Sequence, residues 1–293
     1  MNRTFTLQLF SVLIVFSGCA SRKAYFLSPL SSNSNTYYAK PLLADSVKSA
    51  IYVTAIYTNG DMNPGYDHAN TINTDGSENY DSKTVSDKLH NFQLSFHRSH
   101  IINNYFQAYY GANVSAGTYN VNRYDSVNTD HRVNVPLING QAGTKHFGGG
   151  SLAGGINRVA KFKNGSEWRF FGIEGNIGKE WGDYYKFRKN LPDSAANGVT
   201  KNNTFGSIGF TSEVVFKKGN NNFGFKIALG SSFFQTVDEG VSDLRTIYVV
   251  PLYFAYTMQY SRPKFTLFIQ LNQASHASSA QFGASYKLSR VHH

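Results

Sequence analysis

The residues with chemical potential in this chain are few and scattered. His276-Ala277-Ser278 sets an imidazole two positions from a hydroxyl, and His97 and His100 flank Ser99. A serine becomes a nucleophile only when a base takes its proton and a further group holds that base in place. The stretch 59–87 carries Asp61, Asp67, Asp75, Glu78, Asp81 and Asp87. Within it, Asn73-Thr74-Asp75-Gly76-Ser77-Glu78 has the beginnings of a calcium loop, but no acidic residue closes it in phase. It reads as a solvated surface loop, and no metal is expected. Gly148-Gly149-Gly150 and Gly154-Gly155 are followed by neither a phosphate-binding lysine nor a helix. They read as bends or close packing in strands, not as a nucleotide loop. Cys19 is the single cysteine, which rules out an intrachain disulfide. No cofactor is implied.

The elements that must position these groups are strands. From Ser49 onward polarity alternates with a period of two. Phe92, Leu94 and Phe96 alternate with Asn91, Gln93 and Ser95. Phe223, Phe225, Ile227 and Leu229 alternate with Gly224, Lys226, Ala228 and Gly230. Phe265, Leu267, Ile269 and Leu271 alternate with mostly polar residues, and Ala280, Phe282, Ala284, Tyr286 and Leu288 with Gln281, Gly283, Ser285 and Lys287. Successive side chains on a strand point to opposite faces, so each segment has one apolar and one polar face. Weaker alternation at 49–58, 103–119, 146–160, 167–181, 204–217 and 246–260 brings the number of strands to about ten, within a range of about eight to twelve. Many fit the roughly 9–11 residues that a tilted strand needs to cross a bilayer.

Short connections at 99–102, 161–166, 217–221 and 261–263 alternate with long polar ones at 59–87, 120–145 and 182–203, and 236–245 is intermediate. Short turns at one end and long loops at the other predict an all-β, closed, antiparallel up-and-down transmembrane barrel. The polar face is mainly Gly, Ser, Asn, Gln and Thr, which suits a narrow interior filled by hydrogen-bonded side chains. Tyr57, Tyr105, Tyr119, Trp168, Trp181, Tyr184, Tyr185, Tyr248 and Tyr260 lie near strand ends and read as aromatic girdles. The net charge of +10 is spread along the chain, which argues against a nucleic acid partner. Arg98, His100, Lys161, Lys163, Lys217, Lys218, Arg262 and Lys264 make the short turns basic, fit to touch anionic headgroups or to solubilise a sheet end.

At the N-terminus Arg3 precedes an apolar run from Leu7 to Phe16, too short to be a transmembrane helix, and Phe16-Ser17-Gly18-Cys19 follows. Small residues before a cysteine at this place resemble the lipobox of bacterial lipoproteins, with Phe16 where that motif usually has leucine. The resemblance implies a signal peptide over 1–18, acylation of Cys19, palmitate included, and handling by the lipoprotein-sorting machinery. Residues 19–45 read as a lipid-anchored tether, flexible through Ser31-Ser32-Asn33-Ser34-Asn35. Residues 46–293 read as the barrel. The strand count places both termini on the periplasmic side.

The combined pattern resembles the outer-membrane β-barrel lipoproteins of Gram-negative bacteria. That resemblance implies an outer-membrane location, outer-membrane lipids around the wall, and insertion by the barrel-assembly machinery. Phe282-Gly283-Ala284-Ser285-Tyr286-Lys287-Leu288 is similar to the closing strand that this machinery reads, with Leu288 where an aromatic residue is usual. His276-Ala277-Ser278 resembles the His-x-Ser of outer-membrane lipid A deacylases. That family implies an acidic partner downstream, and no Asp or Glu follows Asp243. The expectation is a non-enzymatic envelope protein that offers loops 59–87, 120–145 and 182–203 to a partner. A narrow channel for small solutes and a barrel lipid hydrolase are the alternatives.

Overall fold

The computed structural model describes residues 25–32, 35–43, 47–72, 78–123, 135–192, 195–196, 198–235, 237–241, 245–249, 252–274 and 277–292. In chain order the elements are β1 (Tyr25–Phe26), α1 (Pro29–Ser32), β2 (Val47–Ile72), β3 (Glu78–Asn103), β4 (Phe106–Val121), α2 (Val135–Asn139), β5 (Gly143–Lys161) and β6 (Glu167–Gly182). They continue with α3 (Asp183–Asn190), β7 (Gly198–Val199), β8 (Thr204–Lys218), β9 (Asn221–Phe233), β10 (Val237–Val241), β11 (Arg245–Val249), β12 (Leu252–Ser261), β13 (Phe265–Ala274) and β14 (Ala277–His292). Ten of the strands form a closed barrel in the order β2-β3-β4-β5-β6-β8-β9-β12-β13-β14, and β14 pairs antiparallel with β2 to close it. The all-β, closed, up-and-down architecture and the strand number are those the alternation predicts.

The turns are short where local chemistry makes them so. In the β5–β6 turn the Phe162 amide donates to the Ser166 carbonyl at 2.9 Å, and Gly165 takes φ 83°. Gly219 at φ 61° turns β8 into β9. Left-handed backbone of this kind costs glycine almost nothing. These turns, with those at 104–105 and 262–264, mark one end of the barrel, which also holds the start of β2 and the end of β14. The opposite end carries the long connections, and there β2 and β3 run on together to the pair Ile72 with Glu78.

The wall is inverted relative to a soluble protein. Phe92, Leu94, Phe96, Ile177, Ile208, Leu229, Leu271 and Phe282 are exposed on the outside, and so are Phe225 at 38% and Leu267 at 49%. Thr54, Gln93, Ser95, Gln107, Asn157, Gln270, Gln281 and Ser285 are buried on the inside. A soluble monomer rarely exposes a continuous apolar surface beyond a few hundred Å². Tyr105, Phe162, Trp168, Phe216, Phe223 and Phe265 are exposed close to the short turns, as a ring of aromatics at one rim.

The structure corrects the sequence reading in several places. The segment 246–260 is not one strand. Its first part is β11, which pairs with β10 in a separate hairpin, and the barrel strand β12 begins at Leu252. The acidic stretch 59–87 is largely strand, because β2 and β3 prolong their ladder through it. Tyr119 and Tyr184 belong to no girdle: they are buried and stacked on each other, with ring centroids 4.1 Å apart.

The largest difference concerns residues 25–43. Read from composition they are part of a flexible tether, but the described ones, 25–32 and 35–43, lie inside the barrel. Tyr25 and Phe26 pair in parallel with Gly198 and Val199 in the connection between β6 and β8, at the long-loop end. The Leu43 amide donates to Glu167 at the short-turn end, at 2.9 Å. The chain therefore runs the length of the lumen, and Tyr25 sits at the opposite end from His292.

Candidate functional site

The lumen is the place where this fold concentrates polar side chains, and its contents are best read from the backbone outward. An extended segment with no ladder partner leaves its amides and carbonyls unpaired, and unpaired buried groups are costly. The wall supplies side chains in place of a strand. Ser232 donates to the Ser31 carbonyl at 3.0 Å and Gln270 to the Asn35 carbonyl. His97 through Nε2 (3.0 Å) and Ser99 (2.8 Å) both donate to the Ala39 carbonyl, and Gln107 donates to the Pro41 carbonyl at 3.0 Å. The Ser28 amide donates to Gln235 at 2.9 Å. The alternating Gln, Ser and His residues of the strands thus match the main chain of residues 28–43.

Aromatic rings fill what the hydrogen bonds leave. Tyr38 stacks on Tyr109 at 4.6 Å and meets His97 edge-on at 5.1 Å, while Tyr52 stacks on His97 at 5.0 Å. Tyr37 packs against Phe268 at 5.2 Å. Glycines on the inner wall make the room. A Cβ at Gly149 would stand 2.1 Å from Leu30, and one at Gly283 would stand 2.1 Å from the ring of Phe268. The cavity left beside Tyr38, Tyr109 and Tyr253 is about 10 Å³, the space of one water at most.

Below this collar lies a buried ion network. Lys40 on the lumen segment is 3.3 Å from both Glu174 and Glu213. Arg169 pairs with Glu213 at 2.8 Å and with Glu167, and Lys226 pairs with Glu174. The Tyr37 hydroxyl lies within hydrogen-bond distance of Glu213, at 3.2 Å, and of Gln259, with its one proton to share between them. Three carboxylates face three cations, so this cluster is neutral only with Lys40 in place. Beneath it opens a vestibule of about 360 Å³ at the short-turn mouth, lined by Lys40, Arg169, Lys217, Arg262, Lys264 and Lys287 among others. The basic turns of the sequence thus gather around one opening.

The long-loop end is closed by apolar packing. Phe26, Leu30, Ile138, Phe147, Tyr184, Phe187 and Leu191 form one buried cluster. Helix α3 is held down by Arg188, which pairs with Glu180 at 2.7 Å and donates to the Thr200 carbonyl.

The candidates from sequence fall elsewhere. Cys19 and His276 lie outside the described residues. Ser278 stands at the top of β14 opposite Asp61 and Gln273. Asp61 gives Ser278 an acidic neighbour that sequence order does not reveal. Its carboxylate nevertheless accepts from Ser86 at 2.6 Å and from Lys88, on the β3 side. Ser278→Ala is therefore expected to leave lipid A acylation unchanged, as read by mass spectrometry of extracted lipid. A changed acylation pattern would restore the hydrolase alternative. His97 and Ser99 are committed to the Ala39 carbonyl. Asp87 accepts from Tyr119 and from the Asn122 amide, each at 2.9 Å. No group of three His, Cys, Asp or Glu side chains suited to a metal ion occurs among the described residues.

No protein family matches this chain, and no curated protein does. Among solved structures the chain is similar to the beta domain of the Bordetella autotransporter BrkA, at 10% identity and TM-score 0.43, covering 83% of this chain and 99% of that one. It is similar to the translocator domain of the autotransporter NalP from Neisseria meningitidis, at 10% identity and TM-score 0.37, covering 84% and 91%. It is also similar to the outer-membrane protease OmpT from Escherichia coli, at 7% identity and TM-score 0.32, covering 85% and 99%.

Proposed function

We propose that this protein is an outer-membrane barrel that conducts nothing and serves as an envelope contact platform, with its long-loop end turned outward. The observation that carries the reading is the occupied lumen inside an apolar outer wall. Lipid is the natural cover for Phe92, Leu94, Phe225 and Leu267, since water would leave them stranded. Residues 28–31 and 35–43 bond to the wall, and the cavity left beside Tyr38, Tyr109 and Tyr253 is about 10 Å³, which supports a closed lumen. What remains for function is the long-loop face, where α2, α3 and the β10–β11 hairpin form a structured surface. Acylation at Cys19, insertion by barrel-assembly machinery and passage through lipoprotein sorting belong to the same reading, on the strength of the sequence resemblance.

In planar bilayers the purified protein is expected to give no current steps, and after detergent extraction it is expected to migrate as a heat-modifiable barrel. Reproducible single-channel steps would favour the solute-channel alternative. Recovery as a soluble monomer without detergent would overturn the membrane reading altogether.

A further inference from the structure

The direction in which residues 25–43 run has a topological result. We infer that the chain preceding Tyr25 leaves the barrel at the long-loop end, so that the N-terminal region, Cys19 included, is displayed on the face opposite the short turns. The inference rests on the membrane reading above for which face is the outer one. Its core, that the N-terminal region and the long loops share a face, rests on the contacts of residues 25–28 and on the reach of the chain before them.

Three fixed points set the direction. At the short-turn end the Leu43 amide bonds Glu167, the first residue of β6, and Lys40 reaches the ion network. Midway, Tyr38 bonds Asn113 and Gln270 bonds the Asn35 carbonyl. At the long-loop end Ser28 bonds Gln235, Phe26 meets Phe187 edge-on at 5.5 Å, and β1 pairs with β7. Cys19 precedes Tyr25 by six positions. Six residues reach about 20 Å at full extension. The apolar band of such a barrel is about 25 Å tall. The passage back is also filled by the segment itself. The reach of six residues thus favours Cys19 at the long-loop face over the short-turn face. An acyl group on it would enter the leaflet at the long-loop rim, which in the outer membrane is the outer leaflet. This departs from the expectation of two periplasmic termini: β14 ends beside the short turns, and the chain before Tyr25 would leave by the other end.

Three variants of the full chain, each with one cysteine in addition to Cys19, test this in intact cells with a membrane-impermeant maleimide, the unsubstituted chain giving the background from Cys19: Ser21→Cys, Gly140→Cys in the turn after α2, and Asn220→Cys in the β8–β9 turn. Heat-modifiable migration checks that each is folded. Short epitope insertions at the same places, probed with antibody, give a second readout that does not depend on thiol chemistry. Labelling at 21 and 140 in intact cells, with 220 reached only after permeabilisation, is the expected result. Labelling at 140 with 21 protected until permeabilisation would overturn the inference and leave the membrane reading standing. Labelling at 220 with 140 protected would overturn the assigned orientation instead, and the position of 21 with 140 or with 220 would still decide which end the chain leaves by.

Discussion

Deletion of Tyr25–Leu42 is expected to give a conducting barrel, where the full chain on the reading proposed above conducts nothing. The wall keeps its ladders, because β2 begins at Val47 and its pairing with β3 and β14 does not involve the deleted residues. The lumen loses the rings of Tyr37 and Tyr38 and every main-chain group that Gln107, Gln270, His97 and Ser99 now serve. Those wall side chains then turn to water for the lost main-chain groups, while Gln270 keeps Thr257, Asn272 and Gln281 and Gln107 keeps Glu167. Removal of Lys40 leaves Glu167, Glu174 and Glu213 facing Arg169 and Lys226, an excess of one negative charge, so the opened path should favour cations. Planar-bilayer recording of the deletion variant reads both effects. Adding a peptide of residues 25–43 should restore silence. A folded deletion variant that stays silent would mean that the apolar cap around Phe187 and Ile138 closes the barrel unaided. Substituting Leu30, Tyr37 and Tyr38 with glycine thins the segment without shortening the chain, and should give intermediate conductance.

The second large effect is expected at Lys40. Replacing it with methionine leaves Glu174 and Glu213 buried beside fewer cations. Breaking a buried pair from one side costs about 3–5 kcal/mol, because the surviving charge keeps its desolvation penalty without its partner. The midpoint of the heat-modifiable transition in detergent should fall accordingly. Glu213→Gln should also destabilise, since Glu213 holds Lys40, Arg169 and Tyr37 at once. The double variant should cost less than the sum of the two, by about 0.5–3 kcal/mol, which is the size of coupling between groups in direct contact. Strict additivity would show that the two charges do not stabilise each other. It would also weaken the case that the lumen segment is electrostatically seated.

The barrel was legible in the chain and its contents were not, for one physical reason. A strand declares its two faces through a period of two, so Phe92, Phe225 and Leu267 could be turned outward from sequence alone. The period says nothing about what the inner face meets. Gln93, His97, Gln107 and Gln270 are polar at the right phase, but whether they bond one another, water or a distant segment of the chain is settled by contacts over separations such as the 235 positions between Asn35 and Gln270. Residues 31–35 look like a linker because serine and asparagine seldom pay their way in a core, and here the wall bonds the neighbouring main chain. A signal was nonetheless present. Lys40 is followed by Pro41 and preceded by Tyr37-Tyr38, an odd sequence for a solvated tether. Glu167, Glu174 and Glu213 fall on the buried face of β6 and β8, where carboxylates need cations. The split of 246–260 had its own marker in Pro251, which cannot donate to a ladder. Tyr119 and Tyr184 were misplaced because an aromatic near a strand end suits a lipid rim or an apolar cap equally well.

The seam between β14 and β2 closes around a segment that is continuous with β2 itself. Ring and axle are one polypeptide. If a group wider than the lumen is carried on the far side of Tyr25, the two become mechanically interlocked, and the axle can be drawn out only by parting the ladder of the seam. Biogenesis then has a required order. The amino-terminal stretch and whatever it bears must be in position before the last strand zips shut, because afterwards no opening is large enough to admit them.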